Sequence, residues 1–302
     1  MALDVGRALR RAPPAVAGAS QAELPGDPIL RELELFGRRA ERPRPATAGP
    51  ILPPAAWLAD SWHSGDLGAF DPSTGIGCWP NTREMFIRAA RPPAGPGPGP
   101  AIWETALTGA FGTGKTNLAI LLAAYWLYEL SRHVSPQALM GLQPHSVLTL
   151  ILVNMNKSKA EEKLFRPLRD SLRRARYFKE RFPWDESADS KDLRFPKNLV
   201  VSTGITDPEA VRSHDLAVLV IDECNFLPVV ARSARSKEGV AWDAAEAIYQ
   251  AGLRRMESRF RGVSLWAPRV VLLSSRDRPH DFLERRERDV LSGDGVETSG
   301  PP

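Results

Sequence analysis

The sequence predicts an α/β domain in which helices flank a mainly parallel sheet. Two observations support this fold class. After residue 100, short runs rich in β-branched and other apolar residues alternate with longer stretches of helical character. Several of the short runs are apolar on both faces, as the buried strands of a parallel sheet are. Buried strands that alternate with helices are typical of α/β domains.

The predicted elements follow one another in a regular order. Strands are predicted at residues 102–108, 147–154, 199–203, 216–222 and 269–275. Helices are predicted at residues 114–132, 158–182 and 242–260. Each of these helices lies between two strands, as the crossover connection of a parallel sheet requires.

The ends of the chain have a different composition. Sixteen of the 27 prolines fall within residues 1–100, and the first 50 residues are rich in Pro, Ala and Arg. We therefore expect a largely irregular or disordered extension over residues 1–50. The run 92–100 (PPAGPGPGP) excludes a helix or a central strand and predicts an exposed linker. A short disordered tail is expected at 293–302.

The overall composition narrows the class of protein. Apolar residues make up 43% of the 302, which is enough for a sizeable core. The net charge of +4 permits a nucleic-acid partner without demanding one. Cys78 and Cys224 are too few and too far apart for a disulfide framework or a zinc site. No apolar run reaches the roughly 18 residues of a membrane helix, so we expect a cytoplasmic protein with no membrane partner.

A glycine-rich segment after the first predicted strand fits the pattern G-x-x-x-x-G-K-[ST] at every fixed position. The segment consists of Gly109, Ala110, Phe111, Gly112, Thr113, Gly114, Lys115 and Thr116, followed by Asn117. Its glycines would let backbone N–H groups converge on phosphate oxygens at the start of a helix. Lys115 would reach the β- and γ-phosphates of ATP, and Thr116 would bind Mg²⁺. The alternative is a chance glycine-rich turn.

An acidic pair closes the most apolar predicted strand. Residues 217–221 are apolar throughout, and Asp222 and Glu223 follow them. The carboxyl ends of such strands are where open α/β sheets bind ligands. Asp222 would hold Mg²⁺, and Glu223 would activate the attacking water as a general base. The alternative is an ordinary helix-capping or surface pair.

The last predicted strand also ends on polar residues, Ser274 and Ser275. Hydroxyl groups beside a nucleotide can respond to the γ-phosphate and pass that response to a moving segment. The alternative is a plain junction between a strand and a loop.

These three motifs, in this order, resemble the ATPase domain of the phage large terminase, the motor that packs DNA into phage heads. The flanking segments 57–62, 78–80, 154–160, 224–227 and 256–260 also resemble that family. The resemblance implies a P-loop NTPase of the additional-strand, catalytic-glutamate type with a doubly wound five-stranded sheet. It further implies a homo-oligomeric ring around double-stranded DNA, encoded by a phage or prophage in a bacterial host.

The resemblance also implies an arginine that reaches the ATP of a neighbouring subunit. In related motors this arginine lies shortly before the acidic strand, which corresponds here to Arg212. Arg254, Arg255 and Arg259 are rival candidates, and an ordinary solvated arginine remains an alternative for each.

The sequence departs from the family at its end. Large terminases continue into a nuclease, but only 26 residues follow Arg276. We therefore expect an ATPase domain over 51–292, with a leading segment at 51–100, a core at 101–276 and no nuclease domain. Possible partners are a small terminase subunit, a portal and a separate nuclease.

Several features of the sequence have more than one interpretation. The basic run 163–181 would contact DNA phosphates or an acidic neighbour, or be a solvated helix face. Trp79 or Trp57 would stack on adenine or be a core aromatic. A helicase-like or AAA-type ATPase, or a truncated prophage remnant that only binds nucleotide, are the alternative functions.

Overall fold

The computed structural model describes residues 9–10, 46–68, 77–90, 102–110, 112–185, 192–203, 208–230, 242–260 and 264–291. The linker 92–100, the tail 293–302 and most of the extension 1–50 lie outside the described residues. Within the described part of the chain, no helix is long and apolar enough to cross a membrane.

The central sheet has seven strands. The strands of the chain are β1 (Leu9–Arg10), β2 (Trp103–Thr108), β3 (Leu148–Val153), β4 (Asp192–Phe195), β5 (Leu199–Thr203), β6 (Asp215–Asp222), β7 (Val229–Val230), β8 (Trp242–Asp243) and β9 (Arg269–Ser274). In the sheet their order is β1-β2-β9-β6-β3-β5-β4, and β7 pairs with β8 separately. The five strands from β2 to β5 in that order are mutually parallel, and β1 and β4 are antiparallel edges.

The strand order matches the predicted fold class. β9 lies between β2, which leads into the glycine-rich loop, and β6, which ends in the acidic pair. This inserted strand is the feature that the term additional-strand denotes. The five parallel strands are those that the sequence predicts, each within one residue at its ends. The antiparallel strands β1 and β4 extend the sheet beyond the five strands that the resemblance implies.

Helices cover both faces of this sheet. They are α1 (Pro54–Ala59), α2 (Ser61–Ser64), α3 (Pro80–Ala90), α4 (Lys115–Arg132), α5 (Pro136–Leu139), α6 (Lys157–Ala160), α7 (Arg166–Arg174), α8 (Arg176–Glu180), α9 (Pro208–Arg212), α10 (Ala244–Phe260) and α11 (Phe282–Leu291). A π-helical turn at Glu161–Phe165 joins α6 to α7, and a 3₁₀ turn at Cys224–Phe226 follows β6.

The helix α4 forms the centre of the core. Its side chains from Leu118 to Leu127 are nearly all apolar and buried, as expected for a helix without a solvent face. α3 packs on one side of α4. In the aromatic cluster formed there, the ring centroids of Trp57 and Phe86 lie 5.8 Å apart. This packing fixes the first turn of α4, which carries Lys115 and Thr116.

Three helical regions differ from the sequence prediction. The predicted helix 242–260 begins at Ala244, and the two residues before it, Trp242 and Asp243, form β8. The predicted helix 158–182 is broken at Ala175, which has the extended angles φ −79° and ψ 114°. The break lies where Gly65 approaches the chain closely, since a Cβ on Gly65 would lie 2.8 Å from the Ala175 nitrogen. The segment after Arg276, interpreted from sequence as a short charged tail, contains α11, whose Phe282 and Leu283 are in the core.

Candidate nucleotide-binding site

The polar groups of the predicted motifs meet at one edge of the sheet. The parallel strands β2, β9, β6 and β3 all end at this edge. The glycine-rich loop follows β2, Ser275 follows β9, and Asp222 and Glu223 close β6. Because parallel strands share one carboxyl edge, residues far apart in sequence lie here within hydrogen-bonding distance.

The glycine-rich loop has the backbone that its glycines were predicted to allow. Gly112 and Gly114 have φ angles of 76° and 83°, in the left-handed region that favours glycine. Gly114 is the residue before α4, and a Cβ there would lie 3.1 Å from the Thr82 hydroxyl of α3. Among the described residues, and leaving aside the chain neighbours of Gly112, no atom lies within 4 Å of a Cβ built on this glycine, so that side of the loop has room for a ligand. Phe111 lies outside the described residues.

The ammonium group of Lys115 is held inside the loop. Its Nζ donates to the carbonyl oxygens of Gly109 and Ala110, both at 2.8 Å, and to Ser275 Oγ at 3.1 Å. The residue is only 6% exposed. Desolvation lowers the pKa of Lys115, and the nearby carboxylates of Glu223 and Asp222 partly offset this. A buried cation at a loop of backbone N–H groups is suited to polyphosphate.

Asp222 is a buried carboxylate surrounded by donors. Its Oδ2 accepts from Thr116 Oγ1 at 3.1 Å and from Asn154 Nδ2 at 3.2 Å, and its Oδ1 accepts from the Glu223 N–H at 3.1 Å. Desolvation, and next the charge of Glu223, raise the pKa of Asp222 from 3.8 to about 6, although the hydrogen bonds from Thr116 and the Glu223 N–H and the charge of Lys115 oppose the rise. A neighbouring cation would favour the ionised form.

The oxygen atoms of Thr116 and Asp222 fit the requirements of Mg²⁺. Magnesium prefers hard oxygen ligands and keeps several water molecules, so one or two protein oxygens beside substrate phosphates are sufficient. The 3.1 Å separation between the Thr116 hydroxyl and the Asp222 carboxylate brings two such oxygens together. No group of three or more His, Cys, Asp or Glu side chains that could hold a metal occurs among the described residues.

Glu223 occupies a strained backbone position. Its angles of φ 54° and ψ 40° are left-handed, which is uncommon for a residue other than glycine, asparagine or aspartate. Its Oε2 atom is buried and has no hydrogen-bond partner among the described residues. Strain of this kind, of order 1–3 kcal/mol, tends to occur at functional sites. The carboxylate therefore retains an acceptor for a water molecule or ligand.

The two serines after β9 contact different parts of the site. Ser275 Oγ accepts the hydrogen bond from Lys115, whereas Ser274 Oγ accepts from the backbone N–H of Asn225 at 3.2 Å. Both serines are buried. The structure therefore brings Ser275 to the loop and puts Ser274 behind the acidic pair.

Asn154 and Asn225 lie in segments that resemble the terminase family by sequence, but neither was predicted as a site residue. Asn154 follows an apolar strand directly, as Asp222 ends one, and this shared pattern could have indicated it. Apart from that resemblance, nothing in the local sequence distinguishes Asn225 from an ordinary turn residue.

A family comparison agrees with this geometry. The family model described as "Uncharacterized protein MJ0330, N-terminal P-loop domain" matches residues 100–294, which is more than half of the chain. The chain belongs to this P-loop domain family. No match was found among curated proteins.

The solved structures that are similar to this P-loop domain include three of phage large terminases. A large terminase from a thermophilic bacteriophage has 11% identity and a TM-score of 0.40, over 62% of this chain and 37% of that one. The large-terminase ATPase domain of a Thermus phage has 15% identity and a TM-score of 0.39, over 60% and 62% of the respective chains. The former terminase in complex with ADP has 10% identity and a TM-score of 0.33, over 55% and 32%.

Large terminases, which the sequence motifs resemble, are thus found again among the similar structures. The chain spans less than two thirds of each of these proteins. The fold assignment itself rests on the strand order and the family match.

The four candidate arginines of this P-loop domain lie away from its own phosphate loop. Arg212 ends α9, just before the first residue of β6, whereas Asp222 is the last of that strand's eight residues. At about 3.3 Å per residue, the two ends of β6 are about 23 Å apart. Arg255 and Arg259 both bond Asp215 at the same end, at 2.9 and 2.7 Å.

Arg254 differs from these two neighbours. It is exposed, and it has no ion-pair partner among the residues that the structure describes. Arg255 and Arg259 are thus held by Asp215, and all four arginines stay candidates for contact with another subunit.

The basic run 163–181 of the P-loop domain is largely ion-paired. Its arginines face outward and the apolar residues between them face the core, as predicted. Five of the arginines, however, pair with carboxylates. These pairs are Arg166–Glu161, Arg169–Asp170, Arg173–Asp170, Arg174–Asp66 and Arg176–Glu180. The pairing favours the solvated-face interpretation.

The two tryptophans considered for adenine stacking have different environments. Trp57 is fully buried in the aromatic cluster with Phe86 and Tyr125. It is therefore a core residue, and the interpretation that Trp57 stacks on adenine is wrong. Trp79 is 56% exposed at the start of α3.

Proposed function

We propose that this chain is an ATP-hydrolysing DNA translocase of large-terminase type. One arrangement carries the proposal. Lys115, Thr116, Asp222 and Glu223 meet at one sheet edge, and Lys115 is linked through Ser275 to the strand between the loop and the acidic pair. A buried cation, a pair of Mg²⁺-type oxygens and a free carboxylate are the groups that ATP hydrolysis requires.

ATP binding would begin at the glycine-rich loop. The N–H groups around Gly112 and the amino end of α4 would bind the phosphates. Lys115 would exchange the carbonyl oxygens of Gly109 and Ala110 for β- and γ-phosphate oxygens. Thr116 and Asp222 would hold Mg²⁺, which when bound offsets the negative charge that develops on the phosphates.

Hydrolysis would depend on Glu223. The unpartnered Oε2 atom of this residue is an acceptor beside Asp222, so it would orient a water molecule and take its proton as that water attacks the γ-phosphate. The adjacent Ser275 would transmit the loss of the γ-phosphate to β9, because it bonds the lysine that contacts that phosphate.

The proposed partner is double-stranded DNA, moved by a homo-oligomeric ring. Support comes from the order and flanks of the sequence motifs and from the place of Arg212 at the far end of β6. An arginine in this position would act on the nucleotide of a neighbour rather than on its own. A small terminase subunit, a portal and a separate nuclease are the proposed assembly partners, and residues 51–292 are the proposed motor domain.

The function is tested by measuring ATP hydrolysis and DNA movement together. Purified protein should hydrolyse Mg²⁺-ATP, the rate should rise with linear double-stranded DNA, and a triplex-forming strand should be displaced from that DNA only with ATP. The same reaction with a non-hydrolysable ATP analogue is the control. Hydrolysis without displacement would favour another P-loop ATPase, and binding without hydrolysis would favour a nucleotide-binding remnant.

A further inference from the structure

A buried asparagine behind the acidic pair joins three elements of the site. Asn225 lies in the 3₁₀ turn two residues after Glu223 and is 6% exposed. Its backbone N–H donates to Ser274 Oγ at 3.2 Å, and its Nδ2 donates to the Ser275 carbonyl oxygen at 2.9 Å. The turn after β6 is thereby bonded to the end of β9.

The same side chain also bonds the start of α11. Asn225 Nδ2 donates to Asp281 Oδ2 at 2.8 Å, and Asn225 Oδ1 accepts from the Leu283 N–H at 2.9 Å. Asp281 is itself 3% exposed and caps this helix, because its Oδ1 accepts from the Glu284 N–H at 2.9 Å. Both ends of the Asn225 amide are therefore satisfied by groups of β9 and α11.

We propose that Asn225 is a positioning residue for ATP hydrolysis, which acts with Asp281 to hold Glu223 and Ser275 in register. The left-handed conformation of Glu223 persists only if its surroundings impose it, and the turn that follows is fixed by Asn225. Ser275, whose hydroxyl bonds Lys115, is fixed through its carbonyl by the same amide. This inference rests on the proposed ATPase function.

The test is the effect of Asn225→Ala on steady-state ATP hydrolysis. We expect kcat to fall by about tenfold to a hundredfold, because small displacements of catalytic groups have effects of that size. KM and the affinity for ADP should change by less than about threefold, since Lys115 and the loop backbone remain. Unchanged kcat in the folded variant would overturn the inference.

Gln137→Ala is the matched control for a purely structural role. Gln137 is another buried amide, and its Nε2 donates to the carbonyl oxygens of Ser146 at 3.1 Å and Lys197 at 2.6 Å. Ser146 and Lys197 lie just before the amino ends of β3 and β5, at the end of the strands opposite to the candidate site. Both variants should lower the melting temperature by roughly 2–8 °C, but only Asn225→Ala should lower kcat. An equal kcat loss in both would overturn the inference.

A double-mutant cycle with Asp281→Ala tests whether the two residues act together. If they act through one link, the double variant should be no slower than the slower single variant. If the kcat of the double variant fell by the product of the two single losses, a shared role would be contradicted. If Asn225→Ala fails to fold, the milder variant Asp281→Asn is measured instead. A kcat of Asp281→Asn equal to that of the wild type would overturn the inference. An inactive wild-type chain would instead contradict the proposed function itself.

Discussion

The buried carboxylate of Asp222 predicts a measurable stability change with pH. Its pKa is raised from 3.8 to about 6 in the folded chain, mainly by desolvation. Each pKa unit corresponds to about 1.4 kcal/mol, so the shift of about 2 units corresponds to about 3 kcal/mol. The folded state holds the proton between these two values and the unfolded state does not. Since pH 4 already lies just above the unfolded pKa, the free energy of unfolding should fall by most of this amount, about 2 kcal/mol, as the pH rises from 4 to 7.

Asp222→Asn removes this contribution, because an amide of the same shape cannot ionise. The assay is urea unfolding followed by tryptophan fluorescence, with EDTA and without nucleotide, at several pH values between 4 and 8. We expect the wild-type free energy of unfolding to fall by about 2 kcal/mol more than that of the variant over this range. The variant should also lose Mg²⁺-dependent hydrolysis.

The same measurement with Mg²⁺ and a nucleotide is the internal control. A bound divalent cation favours the ionised carboxylate, so the extra fall of the wild-type curve should shrink. Parallel pH profiles of the wild type and Asp222→Asn in EDTA would refute the reasoning, since the carboxylate would then titrate alike in the folded and unfolded chains.

Two further predictions concern the phosphate loop and the assembly. Lys115→Ala should abolish tight ATP binding in titration calorimetry, because the loop loses its cation, and unchanged affinity would contradict the phosphate-loop assignment. If ATP hydrolysis per subunit rises with protein concentration or with added DNA, Arg212→Ala should remove that rise. The reason is that a trans-acting arginine accelerates hydrolysis by about 10³-fold to 10⁵-fold. Mixing Arg212→Ala with Glu223→Gln should restore part of the activity, and no recovery in mixtures that co-assemble would move the role to Arg254, Arg255 or Arg259.

The sequence predicts most of the central sheet and the main site residues. The phosphate loop is a strict short pattern, and an apolar strand such as 217–221 has to be buried, so Asp222 was predicted to emerge at the carboxyl edge. Both predictions depend only on local chemistry and on the geometry of parallel sheets. For the same reason the five parallel strands are within one residue of their predicted ends.

The parts that were not predicted depend on contacts between distant segments. The helical period of 158–182 continues across Ala175, but the close approach of Gly65 breaks the helix there. The bonds of Asn225 involve the start of α11, which the charged sequence after Arg276 did not suggest. Local propensity carries no information on such contacts.

The most direct test of the central claim is single-turnover ATP hydrolysis by Glu223→Gln beside the wild type. The substitution keeps the shape of the side chain and removes the base. We expect a hydrolysis rate for Glu223→Gln at least about a hundredfold lower than that of the wild type, with Mg²⁺-ATP affinity within a few-fold of the wild type. Equal hydrolysis rates for the two proteins would contradict the assignment of Glu223 as the water-activating group, and with it the proposed catalytic site.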